Sequence, residues 1–569
     1  MEGKMKFNEL EYKRPDYDKT IVDLNTKLDL AEKAETFDEF LQALVEYEEI
    51  MEVVLSMGTI SYIRNSIDTR DEFYEKEVES FDEFYPRLAQ VNNRLQNIRL
   101  NSEFRAAYEE QFGKNILLTD ELQKDIFKPE IMEDRVKEAK LSNEYQKMMG
   151  TAQIDFDGKK LNLSQMTPYT QSPDRNVRRD ASLAISNWFR EREDEFDRIY
   201  DELVKIRHEI AKKLGFNSYL DVAYRGFGRT DWNREDAKRY RDLIVKYIVP
   251  VAQKFYNEQK ERIGISDFKY YDVPFMFKSG NPTPKGNEEN LVKAAQLMYK
   301  ELSPETEQFF NEMIKSQMMD LASKDGKAPG GYMTYIPTAR LPFIFANFNG
   351  TSHDADVLTH EAGHAFQGYL VRDVYPGELK DACMEIMETH SMSMEYFTHP
   401  WMESFFKEDT EKYYYDHVVD SLQFLPYGAS IDEFQEWVYD NPEASPKERN
   451  KKFREIEKKY SPHIDYADDK YQEEGGRWQR QMHVYQSPFY YLDYTIAQLN
   501  AFQFFVLDLE NHEEAWNKYV ELCKMGGKYG TKETIEKVGL KVPFEEETFK
   551  FIVPKLEEYL DNLDHSKIV

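Results

Sequence analysis

The chain has 569 residues, 41% hydrophobic and 32% charged, which allows a large core and more than one domain and excludes a disordered composition. Its 75 basic and 106 acidic side chains leave a formal charge of −31, which repels phosphate backbones and anionic lipid and argues against nucleic acid or a membrane surface as partner. Two cysteines, Cys383 and Cys523, make no disulfide framework. No apolar run approaches bilayer length, and the opening MEGKMKFNELEYKRPDYD lacks a signal-peptide core, so a cytoplasmic protein is expected.

Residues 1 to about 20 read as an extended lead-in, with Pro15 limiting helix. From Val22 to about Gly113, apolar residues recur at spacings of three and four. Thr36 is expected to cap a helix with Glu39 as its reciprocal partner. Gln153–Gly158 alternates and then turns at Asp157-Gly158, which predicts a small hairpin. Helices resume from Asn176 to about Leu214 and stop at Gly215. A domain boundary is placed near residue 200, between an N-terminal helical region (1–200) and the region that carries the chemistry (201–569).

The next helix starts at Asn233, with Asp236 supporting the cap, and Pro250 is expected to bend or end it. Residues 264–290 are rich in loop formers, and helices then run from about Glu288 to Ala322. After the break at Asp325–Gly331, Tyr332–Tyr335 and Pro342–Phe348 read as strands. From about Ser352 onward the chain is again mostly helical, with Thr351–Asp354 as the expected cap.

That helix carries His360-Glu361-Ala362-Gly363-His364. Histidines four apart share a helix face, so both imidazoles can reach one metal ion, and the adjacent Glu361 can act as general base. With 11 His in the chain, only about 0.02 chance matches to this pattern are expected. The two histidines interrupt a face of Val357, Leu358, Ala362, Ala365, Phe366 and Tyr369. Gly363, which costs a helix about 1 kcal/mol relative to Ala, implies close packing by a neighbouring helix or by substrate.

A catalytic zinc takes a third protein ligand. Acidic candidates downstream are Glu378, Asp381, Glu385, Glu388 and Glu395. Glu388 and Glu395 lie two turns apart on one face of an apolar helix, where an acid is expensive unless paired or metal-bound. One of them can bind the metal while the other orients a ligand.

The run Glu388-Thr-His-Ser391-Met-Ser-Met-Glu395, following the His-Glu-x-x-His helix after 23 residues, resembles the zinc metallopeptidases of the thimet-oligopeptidase superfamily, in the oligoendopeptidase F and Pz-peptidase branch. The resemblance assigns Glu388 as third ligand of one zinc per chain, beside His360 and His364, and Glu395 as a supporting acid. A thermolysin-like or aminopeptidase-like spacing would put the ligand near Cys383 or Met384, neither of which suits it.

Two further segments are similar to the same family. The strand Phe343, Ile344, Phe345, Ala346, Asn347 precedes the zinc helix and is expected to hold peptide backbone. In the segment Trp478–Tyr494, His483, Tyr491 and Tyr494 match the family's oxyanion donors, with Tyr490 competing for the role of Tyr491.

What the resemblance implies is a mainly α, two-lobed fold, with a small β-sheet next to the zinc helix and a deep substrate channel. The expected activity is endopeptidase cleavage of short oligopeptides, with Glu361 as general base. An all-helical zinc carboxypeptidase is the alternative reading, and a non-catalytic peptide-binding or metal-binding protein is a third, against which the intact Glu361 speaks. Oligomeric state is not written in the sequence.

Overall fold

Most of the chain is helix because its apolar residues repeat at helical spacing and its helix starts carry side-chain caps. Residues 5–569 are described by a computed structural model, which is mainly α-helical with two small β-sheets. The first long helix, Tyr17–Glu32, begins inside the stretch expected to be extended, because the Asp16 carboxylate accepts the Lys19 N–H and caps it. Thr36 caps Phe37–Ile67 as expected, but Glu39 reaches the backbone N–H of Glu35 instead of that of Thr36. With Glu72–Asn101, these helices enclose a core that includes Leu24, Leu28, Leu44, Phe84 and Leu95.

The predicted hairpin is present as β1 (Ile154–Phe156) and β2 (Lys159–Leu161), antiparallel, with Asp157 and Gly158 both at positive φ in the turn. Gly215 ends the helix Glu193–Leu214 in the left-handed conformation, and Asn233 with Asp236 forms the expected capping box. Pro250 does not end that helical run. A π-helical turn at Ile244–Ile248 absorbs the change, and Pro250 sits in the first turn of Val249–Arg262, where its missing N–H is harmless.

The second sheet corrects the sequence reading at two points. Its strands are β3 (Met319–Ala322), β4 (Tyr332–Ile336) and β5 (Leu341–Phe348), in the order β3-β5-β4. Met319–Ala322, read from the sequence as helix, pairs parallel to β5, with Met319 opposite Ile344. Backbone pairing and the burial of Leu321 override a weak helical preference. β5 is the central strand, with β4 antiparallel to it, so its backbone groups are already used on both sides. The strand expected to receive peptide, Phe343–Asn347, therefore lies inside the sheet, whose two edges are β3 and β4. Phe343, Ile344, Phe345 and Ala346 bury their side chains, and the Asn347 amide donates to the carbonyls of Ala328 and Gly330.

Directly after β5 comes the helix His353–Leu370. Ser352 does not cap it; Asp354 instead accepts the N–H groups of Asn349 and Gly350, tying the strand's exit to the helix start. Leu358, Ala362, Ala365 and Phe366 pack into the core shared with β5. On its other side lies the helix Met384–Phe397, which in turn packs against Tyr491–Glu510.

Gly363 marks the closest approach of the first two helices. A Cβ there would stand 2.6 Å from Ser391 Cα and 2.7 Å from the His390 carbonyl. Alanine would add about 1 kcal/mol of helix propensity, but backbone atoms cannot move aside, and overpacking of this kind costs about 1–3 kcal/mol or more. Gly363→Ala should lower the thermal midpoint and weaken metal retention together, because it separates the helices that carry His364 and Glu388. An unchanged melting curve would contradict this packing.

Candidate active site

The two helices bring three donors together. The ligating atoms of His360, His364 and Glu388 lie within 4.8 Å of one another, and Glu388 Oε2 is 3.3 Å from Nε2 of each histidine. Donors placed about 2.0–2.1 Å from one tetrahedral ion stand about 3.3 Å apart, so two imidazoles and a carboxylate in this arrangement fit zinc. Burial disfavours a charged His360, yet Glu388 and Glu395 hold its pKa well above the ordinary histidine range.

Two of the three donors, His360 and Glu388, are held from behind. The Nδ1–H of His360 donates to Glu395 Oε1 at 2.6 Å, which turns its Nε2 toward Glu388. Glu395 is fixed in turn by His417, whose Nε2 is 2.8 Å from Oε2, and His417 Nδ1 meets His399 Nε2 at 2.8 Å. Despite burial, the bonds to His360 and His417 keep Glu395 ionised, with its pKa held down to about 2. On Glu388, the Ser391 hydroxyl donates to Oε2 at 3.2 Å and the Tyr490 hydroxyl to Oε1 at 2.8 Å.

Sequence reasoning missed the histidine relay. His417 lies on the long helix Thr410–Asp440, with no motif or spacing linking it to Glu395. His353 is exposed at the helix start.

Glu361 lies beside the donor cluster, buried, with its carboxylate making no hydrogen bond to the described residues. Burial pushes its pKa above the usual carboxylate range, opposed by the charges of His360 and His364. A carboxyl group in that state is suited to accept and return a proton.

Across from it, His483, Tyr490, Tyr491 and Tyr494 form one aromatic group, with the His483 ring 5.1–5.5 Å from the three tyrosine rings. Burial lowers the His483 pKa to about 4, so the ring is neutral. The Gln481 amide nitrogen lies 2.8 Å from Nδ1, which makes Nδ1 the acceptor and leaves the proton on Nε2, free to donate. Tyr491 packs edge-on against Phe424 and Tyr427, whereas Tyr490 is the tyrosine bonded to Glu388.

This segment is braced by a buried ion pair. Arg229 donates to Asp493 Oδ1 at 2.6 Å and to the Phe489 carbonyl at 2.8 Å, and both charged side chains are fully buried. Phe489 adopts a positive φ of 72°, a strained conformation for a residue with a side chain. Its N–H donates to Gln435, so both faces of its backbone are held. Asp493→Ala would strand the guanidinium and should cost about 3–5 kcal/mol, measurable by denaturant unfolding; a loss below about 1 kcal/mol would show the pair to be solvated.

The signature of peptidase family M3 matches residues 168–552, and that of the peptidase M3 N-terminal domain matches residues 7–127. The chain belongs to peptidase family M3. Among M3 relatives of known structure, Pz peptidase A crystallised with an inhibitor is 45% identical, with a TM-score of 0.95, covering 99% of this chain and 100% of that one. Oligoendopeptidase F, chromosomal, of Lactococcus lactis subsp. cremoris is 22% identical over 68% of this chain, and the oligoendopeptidase F homolog of Borreliella burgdorferi is 24% identical over 36% of it. The matched stretches span 64% and 34% of those two proteins' lengths, respectively.

Proposed function

We propose that this M3 chain is a zinc-dependent endopeptidase that hydrolyses internal bonds of short oligopeptides, with one zinc per chain. The reading rests on one observation: His360, His364 and Glu388 converge to a tetrahedral spacing with an unbonded, buried Glu361 beside them. Zinc held by those three residues supplies Lewis-acid polarisation of water and of the scissile carbonyl.

The chain's own groups do the rest. Glu361 takes the proton of the attacking water and passes it to the leaving amine. Tyr494, with Tyr491 or Tyr490, and the Nε2–H of His483 donate to the oxyanion that develops on the carbonyl oxygen. Glu395, steadied by His417, keeps His360 in the tautomer that offers Nε2. Substrate backbone pairs with the open edge of β4, a sequence-tolerant mode of binding.

In this reading the N-terminal helical region (1–200) and the catalytic region (201–569) form two lobes flanking a deep channel. Such a channel admits oligopeptides and excludes folded proteins. Support comes from a cavity bounded by Tyr47 and Leu95 on one side and by Thr334 and Gly368 on the other. The free thiols of Cys383 and Cys523 support a reducing, cytoplasmic setting. No helix among the described residues is long and apolar enough to cross a membrane.

Mass analysis of products from a set of end-blocked peptides, with zinc content measured on the same preparation, tests the proposal. Internal cleavage abolished by chelator and restored by zinc is expected. Release of single C-terminal residues from unblocked peptides only would point to a carboxypeptidase, and metal binding without turnover would overturn the enzymatic reading.

A further inference from the structure

We propose that the cavity of about 590 Å³ between the N-terminal helices and the metal-bearing helices is a subsite for a cationic group on an apolar stem: a Lys or Arg side chain of the substrate, or its amino terminus. The inference rests on the peptidase reading above and adds a substrate preference to it.

Position ties the cavity to the reaction path. It is lined by Met333, Thr334 and Tyr335 of the open edge strand, by Gly368 one turn beyond His364, and by Met387, which directly precedes Glu388. A peptide paired along β4 therefore offers its side chains or its end to this space.

The chemistry of the walls selects a cation. Leu44, Met51, Leu55 and Leu95 supply apolar surface that suits an alkyl stem. Four carboxylates line the cavity against two cations, and those cations are taken. Lys380 pairs with Glu52 at 3.2 Å, and Arg99 pairs with Glu378 at 2.9 Å and with Asp120 at 2.8 Å. Glu48 and Asp381 have no ion-pair partner among the described residues.

Glu48 lies against the backbone of Gly377, where a Cβ would stand 2.6 Å from Glu48 Oε1. Burial pushes Glu48 up to about 7, while the Asp381 carboxylate is exposed at the cavity. Carboxylates facing an apolar cavity without a counter-ion are costly, and a bound cation removes that cost.

A second, independent feature points the same way. Tyr47, 5% exposed, lines the cavity with a buried hydroxyl that has no hydrogen-bond partner among the described residues. Its oxygen can accept from an ammonium or guanidinium group.

The test is a scan of lysine against norleucine at each position of one quenched peptide, with every peptide made both free and acetylated at its N-terminus, read as kcat/KM with the zinc-loaded protein. At one position lysine should exceed norleucine about tenfold, or the free amine should exceed the acetylated end by as much; which arm responds identifies the source of the cation. Glu48→Gln with Asp381→Asn should bring that ratio close to one. A wild-type enzyme without either preference overturns the inference, as does a preference for norleucine, or one that survives both substitutions. Glu48→Gln alone, which should lower the ratio, covers a double variant that fails to fold. Cleavage of no peptide at all would instead remove the peptidase reading.

Discussion

Glu361→Gln should retain zinc and lose turnover by about 10²–10⁴-fold, the usual contribution of a positioned general base. The substitution is nearly isosteric, so the packing of His353–Leu370 survives and the three ligating side chains stay in place. What disappears is the group proposed to take a proton from the attacking water and return it to the amine. No nearby acid can substitute: Glu388 is engaged by both histidines, by Ser391 and by Tyr490, and Glu395 by His360 and His417. Measured zinc content and kcat/KM on one preparation decide the matter. Turnover within a few-fold of wild type would remove Glu361 from the mechanism.

Glu388→Ala should strip the metal. Two imidazoles alone leave a zinc site short of the three protein ligands that catalytic centres use. Wild-type Glu388 is held ionised against burial by His364 and His360, so the carboxylate is ready to bind a cation without waiting for deprotonation. Its removal also leaves the Tyr490 hydroxyl without an acceptor, which loosens the segment that leads into Tyr491 and Tyr494. Zinc occupancy after exhaustive dialysis should fall to background, with activity lost in parallel. Full occupancy would transfer the third-ligand role to another acid. By contrast, Glu395 acts through His360, and Glu395→Gln should weaken zinc affinity only about 10–100-fold.

How much of this was legible in the sequence varies with the kind of feature. His360, Glu361 and His364 declare themselves because helical geometry converts a spacing of four into a shared face. Gly363 announced a close contact through its propensity cost, and the contact is with the backbone at His390 and Ser391. The strand Met319–Ala322 was not legible, since four residues have no period and only pairing with β5 makes them a strand. Nor was the choice of open edge. The continuous apolar run Phe343–Ala346 says that a strand is buried, not whether its neighbours have consumed its hydrogen bonds.

The sequence alone determined the helical class, the pair of metal-spaced histidines with a glutamate beside them, and a short set of acids from which the third ligand had to come. All of these follow from local periodicity and from the expense of burying a charge without a partner. Tertiary structure alone decided that β5 is the inner strand of its sheet, that Tyr490 rather than Tyr491 touches Glu388, and that His417 and His399 stand behind Glu395. Those are meetings between elements far apart in the chain. They depend on how the helices and strands pack, which no local spacing records.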